Sequence, residues 1–436
     1  MSVPPEAEPS RPGLVRVIGR WDLTAAIING VIGSAIFGMP SDQARLAGAW
    51  SPLVALIAGV GVLTIVLCFA EVASRFQDAG GPYLYARDAF GPFVGFEAGW
   101  LTFWIRVTAV AANLNVFVDY LARLLPAAGD GYPRAAVMAA VVGVIAAINV
   151  VGVRQATWTV DAFTIAKLLP LALLVVLGLP QIDGGILRSQ EVAAPQWTQA
   201  ILLLMFAYGG FEAPLIPAGE ARNPRRDTAF ALLTALAVIA FLYCAVQLVV
   251  IGLVPALANP AAPVKAPVAA AFGALLGGPG VVLASVAAMV SIYGYTTGTV
   301  LQSPRVLFSM AERGDLPAAF ARVHARFRTP YFSIVTFALL VFALALVGSF
   351  TWNATLSAIV RLLTYGLTCV ALLVFRRRGG APAAGFVVPG AFVVVPLATG
   401  FCLWLLVTRP LGQAWVVAAL VVAGALIYAA RRPRLT

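Results

Sequence analysis

The chain has 436 residues, of which 61% are hydrophobic and only 11% charged, with a formal net charge of +11. A soluble domain carries about 25% charged residues, so this composition excludes a water-soluble globular protein. The basic excess carries no nucleic-acid footprint, because its arginines are spread over the short polar segments between apolar runs.

The opening MSVPPEAEPSRPG is polar and proline-rich and lacks the apolar core of a signal peptide. Residues 1–14 are expected to form a short disordered cytoplasmic tail. About twelve apolar runs follow, near 21–47, 52–76, 92–125, 134–153, 158–180, 198–221, 227–255, 277–311, 331–349, 353–375, 386–407 and 411–430. Each is roughly 20 residues or more, enough for a helix to cross about 30 Å of hydrocarbon. None alternates as a β-barrel strand does. The expectation is an all-α membrane protein of about twelve transmembrane helices, set in a lipid bilayer. The longest loops, near 181–197 and 255–276, fall outside the cell. The loop near 312–330 falls inside, and its Arg and Phe spacing suits a short amphipathic helix at the lipid interface.

Threading twelve spans from an interior N-terminus puts 20 lysines and arginines on the N-terminal side and 6 on the other. This is the positive-inside pattern, with both termini in the cytoplasm of a multi-pass plasma-membrane protein. Cys68, Cys244, Cys369 and Cys402 all lie in apolar runs without metal spacing, so they read as reduced packing residues. The lone histidine, His324, lies in a basic loop. No metal, cofactor or catalytic residue is expected.

Two runs are interrupted. The first contains GVIGSAIFG, from Gly30 to Gly38, followed by Pro40, and the sixth contains FAYGGFEAPLIPAGEARNP, with Gly209, Gly210, Pro214 and Pro217. Close helix packing through small residues would explain the first glycines alone. The two breaks, however, are five spans apart, and an odd number inverts the second copy relative to the first. Matching interruptions in two halves mark a carrier built from inverted repeats. Irregular backbone at membrane depth survives only where it is buried in protein or lines a cavity. There, the amides of one half-helix bind carboxylate and the carbonyls of the other bind ammonium or a cation. Two facing breaks can thus hold the backbone of an amino acid substrate.

At these residues the sequence resembles the amino acid–polyamine–organocation superfamily. The stretches that carry the resemblance are GVIGSAIFGMPS, AGGPYLYARDAFGPFVGFEAGW, FAYGGFEAPLIPAGEARNPRRD and RVLFSMAERGDLPAAFARVH, in family order over roughly the first 375 residues. The resemblance implies the leucine-transporter fold, with 5+5 inverted repeats over 15–180 and 198–375, discontinuous helices one and six, and accessory helices over 386–430. It also implies amino acid transport from a central site. That site would comprise Ile32, Gly33, Ser34, Ala35 and Ile36 at the first break, and Phe206, Ala207, Tyr208 and Gly209 at the sixth. Phe206 would be the gate, and Gly209 would leave room for a side chain. The family often has Gly-Ser/Thr-Gly at the first break. Ala35 stands at its third position here and adds a methyl where a carboxylate would approach.

Lys167, in TIAKLLPLALL, is one of only two lysines. A charge at a helix centre costs about 2.5–3.5 kcal/mol on insertion scales. Arginine is not easily neutralised, whereas a buried lysine can give up its proton. In some family members a lysine in this span replaces a sodium ion, so Lys167 is a candidate proton switch; snorkelling toward the cytoplasm is the alternative. Glu212 can bind a proton, bind a cationic substrate or pair with an arginine. Arg106 is expected to pair with Glu97, Glu71 or Glu212 as scaffold; alternatively it faces the substrate path and favours an acidic side chain. Arg361 reads similarly. Asn113 and Asn115 suit interhelical hydrogen bonds. In SIYGYTTGTV, Thr296 and Thr297 are the hydroxyls expected near Lys167 or the substrate.

These observations point to a secondary amino acid transporter working by alternating access, proton-coupled or exchanging, with protons as a second partner. A polyamine or cationic amino acid exchanger and a transport-dead amino acid sensor are the alternatives. No ATP-binding loop is present, since GVIGSAIFG lacks the lysine of a P-loop.

Overall fold

A computed structural model of the chain describes residues 19–76, 81–152, 157–189, 196–213, 224–258, 264–378, 382–409 and 411–431. The 1–14 tail lies outside them, as do Pro214, Pro217 and the turn at 220–223 beyond the second interruption. The described residues form helices and no strand. Eight helical stretches among them are long and apolar enough to cross a membrane, and three shorter apolar helices accompany them.

The first apolar run is two helices, α1 (Arg20–Val31) and α2 (Ala35–Ala47). Between them Ile32 leaves helical space, at φ −76° and ψ 90°. α3 (Ser51–Arg75) fills the second run and opens with Pro52, where a missing amide costs nothing. α4 (Gly81–Phe90) is a short helix that no apolar run announced. α5 (Pro92–Leu124) is buried over most of its 33 residues and packs on α4, α11, α12, α13 and α15. α6 (Gly131–Val151), α7 (Thr157–Gly178), the short α8 (Gly184–Ser189) and α9 (Trp197–Ala207) follow. Beyond them come α10 (Pro224–Leu253), α11 (Pro267–Glu312), α12 (Tyr331–Val347) and α13 (Phe350–Arg377), then α14 (Ala391–Val407) and α15 (Leu411–Arg431). Helix is thus present in the described part of every apolar run.

α5 and α13 form the buried centre together with α1, α2, α3, α9 and α10, whereas α6 and α15 leave most of their surface uncovered. That difference fits their sequences, which are apolar all round, as a lipid-facing helix requires.

Three loop expectations need correction. Residues 267–276 are helical, because Pro267 starts α11 and the chain then kinks at Gly277, at φ 66° and ψ −146°. Residues 184–189 inside the other long loop are helical too. The 312–330 segment holds one 3-10 turn, Ala318–Ala321, instead of an amphipathic helix. Pro317 ends at φ −51° and ψ 137°, outside the helical region, and that extended residue bounds the turn.

An ionic cluster ties α3 to α13 and to the segment before α14. The Glu71 carboxylate is fully buried. It accepts from Arg75 at 2.7 Å, from Arg376 Nε at 2.9 Å and Nη2, and from the Val388 amide at 2.8 Å. Ser74 Oγ accepts the amides of Gly385 and Phe386, at 3.1 and 3.2 Å.

Removing one partner of a buried ion pair typically costs about 3–5 kcal/mol, because the charge left behind is uncompensated. Glu71→Ala should therefore lower the thermal unfolding midpoint in detergent markedly. An unchanged midpoint would show that Arg75 and Arg376 find water instead.

Candidate functional site

The break between α1 and α2 is buried. Ile32 is fully enclosed, and Gly33 packs against the Tyr295 ring. The Ser34 amide donates to Asn113 Oδ1 from α5 at 3.2 Å. The amides of Phe37 and Gly38 donate to the Ser34 carbonyl, at 3.0 and 2.8 Å. This leaves the amides of Ala35 and Ile36 to open α2, at the positive end of the helix dipole. Ala35 needs no special backbone, since Arg328 is the only described non-glycine with positive φ. Its methyl lines the cavity beside Ser34.

The sixth run supplies the facing wall. α9 ends at Ala207, and the Tyr208 amide still donates to the Leu204 carbonyl at 2.9 Å. Gly210 has φ 109°, a conformation that side chains rarely adopt, and a Cβ there would collide with the Gly30 carbonyl. Glycine is thus required twice, for the turn and for the close approach of this break to the end of α1. The two interruptions meet in the protein centre.

Most of their polar backbone is already answered by side chains, contrary to the expectation of bare groups. Lys167 Nζ, fully enclosed on α7, donates to the Ile32 carbonyl at 2.7 Å and to that of Asn29 at 3.3 Å. Snorkelling is therefore overturned: the amine caps the end of α1. The Phe206 carbonyl accepts Arg361 Nη1 at 3.3 Å, and the Ala207 carbonyl accepts the Tyr243 hydroxyl at 2.8 Å. Tyr208 points away, donating to the Ala55 carbonyl at 2.8 Å. The Phe206 ring meets Phe350 edge-on, with centroids 6.0 Å apart.

Arg361, from α13, holds a place the sequence did not assign to it. A Cβ on Gly209 would strike its guanidinium, so the room left by that glycine is filled by Arg361 and not by open space. Arg361 Nη2 lies 3.6 Å from Glu212 Oε1. Glu212 Oε2 accepts from the Gly210 amide at 2.9 Å and from the Tyr365 hydroxyl at 2.7 Å.

Arg106 departs from expectation in another way. Glu71 is committed to Arg75 and Arg376, Glu212 is paired with Arg361, and both Glu97 oxygens are buried without a hydrogen-bond partner. Arg106, 5% exposed, forms no ion pair with a described residue, and its Nε is unpartnered. It lies within electrostatic reach of Glu212, Tyr295 and Arg361.

Ile36 lines a neighbouring apolar cavity with Met39, Leu204 and Tyr243. The two threonines are a correction. Thr297 donates back to its own helix, to the Tyr293 and Gly294 carbonyls at 2.9 and 3.1 Å. Thr296 lines an apolar cavity with Val110, Ile145 and Phe337. The α11 hydroxyl that reaches the first break is Ser291, 3.4 Å from the Gly33 carbonyl. Helical periodicity decides this: Ser291 lies more than one turn before Thr296 and on another face. Asn115 bridges α5 to the Ala345 and Gly348 carbonyls at 3.2 and 3.1 Å, as expected of an interhelical bond. Asn113 does more, since it also lines the cavity.

That cavity is bounded by Gly33, Ser34, Asn113, Phe206, Tyr295 and Arg361, among others. Its free space is about 10 Å³, room for roughly one water. Ser34 Oγ, Asn113 Nδ2 and Arg361 Nε are buried around it without hydrogen-bond partners. A water-sized space at the junction of two broken helices, walled by unsatisfied polar groups, suits a polar ligand.

Comparison with known proteins identifies the family. The family profile described as "Amino acid permease" matches residues 18–432. The serine/threonine exchanger SteT of Bacillus subtilis is 30% identical over 390 residues, covering 86% of this chain and 87% of its own. The methylthioribose transporter of the same organism is 28% identical over 97% of this chain and 94% of its own. Its branched-chain amino acid permease BcaP is 27% identical over 92% and 89%. These relatives are carriers and not enzymes. The chain belongs to the amino acid permease family, within the amino acid–polyamine–organocation superfamily.

Proposed function

We propose that the chain is a secondary active transporter of amino acids that works by alternating access in the plasma membrane. The observation that carries this reading is the contact of the two helix breaks, with Gly210 against the Gly30 carbonyl. The proposed architecture has twelve spans with both termini cytoplasmic, inverted repeats over 15–180 and 198–375, and accessory helices over 386–430. The amides of Ala35 and Ile36 receive the substrate carboxylate, with Ile32, Gly33 and Ser34 forming that wall. Phe206, Ala207, Tyr208 and Gly209 form the other. Phe206 closes over the substrate as the gate, moving against Phe350.

Lys167 stands in for a bound cation at the carbonyls of Asn29 and Ile32. Its protonation ties the end of α1 to α7, and its deprotonation releases that tie, which couples the break to protons. Relatives named as an exchanger and a permease of amino acids support amino acid transport by exchange or uptake. Glu212 is already engaged by Arg361, Tyr365 and the Gly210 amide, which weighs against a polyamine or cationic substrate using it as counter-ion.

Reconstituted in liposomes, the protein should show saturable counterflow of at least one amino acid. Tight binding without flux would identify a sensor, and unsaturable conductance a channel. Lys167→Ala should lower the pH-dependent part of uptake while the protein still purifies as a monodisperse species; an unchanged pH profile would remove the proton role. Gly210→Ala should reduce uptake about tenfold or more, equivalent to ~1.4 kcal/mol per tenfold, because neither the turn nor the approach to Gly30 tolerates a methyl. Uptake equal to that of the unsubstituted protein would show that the breaks need not touch.

A further inference from the structure

We propose that the central site is built for an amino acid with a carboxylate side chain, and that Arg106, with Arg361, is its specificity determinant. The inference rests on the transport reading above and names its substrate class.

Charge is the first argument. Arg361 lines the cavity, Arg106 lies about two turns before the cavity-lining Asn113 on the same face of α5 and within electrostatic reach of Arg361, and Glu212 supplies one carboxylate. Among the described residues the cluster is therefore left with one uncompensated positive charge, buried from bulk solvent. Arg361 is neutralised by Glu212 and fixed by the Phe206 carbonyl. The uncompensated charge is thus that of Arg106, which has no described ion-pair partner although it is buried. An unpaired charge in such a place is expensive, and arginine cannot shed it by losing a proton. An anion that arrives with the substrate would relieve it.

Hydrogen bonding is the second argument. Arg106 Nε, Arg361 Nε and Asn113 Nδ2 are all buried donors without acceptors. The two arginine donors come from α5 and α13, whereas Asn113 sits beside the first break, where its Oδ1 accepts the Ser34 amide. An ionised carboxylate is a pure acceptor with about four lone-pair sites and takes an arginine fork in a bidentate manner. A side-chain amide brings two donors of its own to a wall that already has too many. The α-carboxylate is served by the amides of Ala35 and Ile36, so a second carboxylate is the group that the α5–α13 wall lacks. A site with unpaired buried partners rejects a ligand that fails to satisfy them. An inorganic anion such as chloride could satisfy the same donors, and the test separates the two sources.

The full-length protein is reconstituted in liposomes, and counterflow of glutamate and aspartate is compared with that of glutamine and asparagine, in chloride and in gluconate. The acid should be preferred over its amide by about tenfold or more in both media. Arg106→Gln should lower that acid-to-amide ratio by about tenfold, and Arg106→Lys should restore part of it. In a thermal-shift assay on the purified protein, glutamate should raise the unfolding midpoint of the unsubstituted chain and not that of Arg106→Gln. The midpoint of Arg106→Gln without ligand reports whether that variant folds. Glutamine transported as well as glutamate would overturn the inference while leaving amino acid transport standing. Stabilisation by chloride alone, with no preference for the acid, would assign the charge to an inorganic ion and also overturn it. Absence of counterflow with every amino acid would remove the transport reading and this inference together.

Discussion

A helix that stops at membrane depth leaves amides and carbonyls that no water can reach, and the rest of this structure answers to that constraint. At the first break, Lys167 takes the carbonyls of Asn29 and Ile32, and Asn113 takes the Ser34 amide. At the second, Arg361 and Tyr243 take the carbonyls of Phe206 and Ala207. These partners come from α5, α7, α10 and α13, so four helices are fixed around two short irregular segments. The groups left over are those a ligand can use.

The intramembrane charges divide into two sets by what surrounds them. Glu71 has donors to match its lone-pair sites, with Arg75, Arg376 and a backbone amide all converging on one carboxylate. A carboxylate satisfied in this way rigidifies the protein and has nothing to offer a ligand. The set around Arg361 is incomplete. Its guanidinium is held by one carbonyl and one carboxylate, and among the described residues its Nε has no acceptor and Arg106 nearby has no ion pair. Incomplete satisfaction is destabilising in a closed site and useful in one that opens, because the missing partner is supplied by what binds.

Much of the helical architecture was legible in the sequence. Long apolar runs admit only helix in lipid, since every backbone group must be satisfied within the segment. The glycines of GVIGSAIFG and FAYGGFEAP marked the interruptions for the same reason. Lys167 stood out as a lone lysine amid apolar residues, and its place at the end of α1 follows the family spacing. Less of the site could be read. Arg361 and Arg106 looked alike as scaffold charges, yet one fills the space over Gly209 and the other has no ion pair with a described residue. Thr296 and Thr297 looked like candidate ligands until helical phase turned one to its own helix and the other to an apolar cavity, leaving Ser291 to reach the break.

By itself the sequence determined that this chain lives in a bilayer, that its spans are helical and that two of them are broken, because composition and local backbone chemistry act over a few residues. It did not determine which side chains complete those breaks. Partners such as Ser34 and Asn113, or Phe206 and Arg361, lie 79 and 155 residues apart, and nothing in either segment encodes the distance between them. Only the packing of α5 against α2 and of α13 against α9 brought them within reach, and a hydrogen bond exists or fails over less than an ångström.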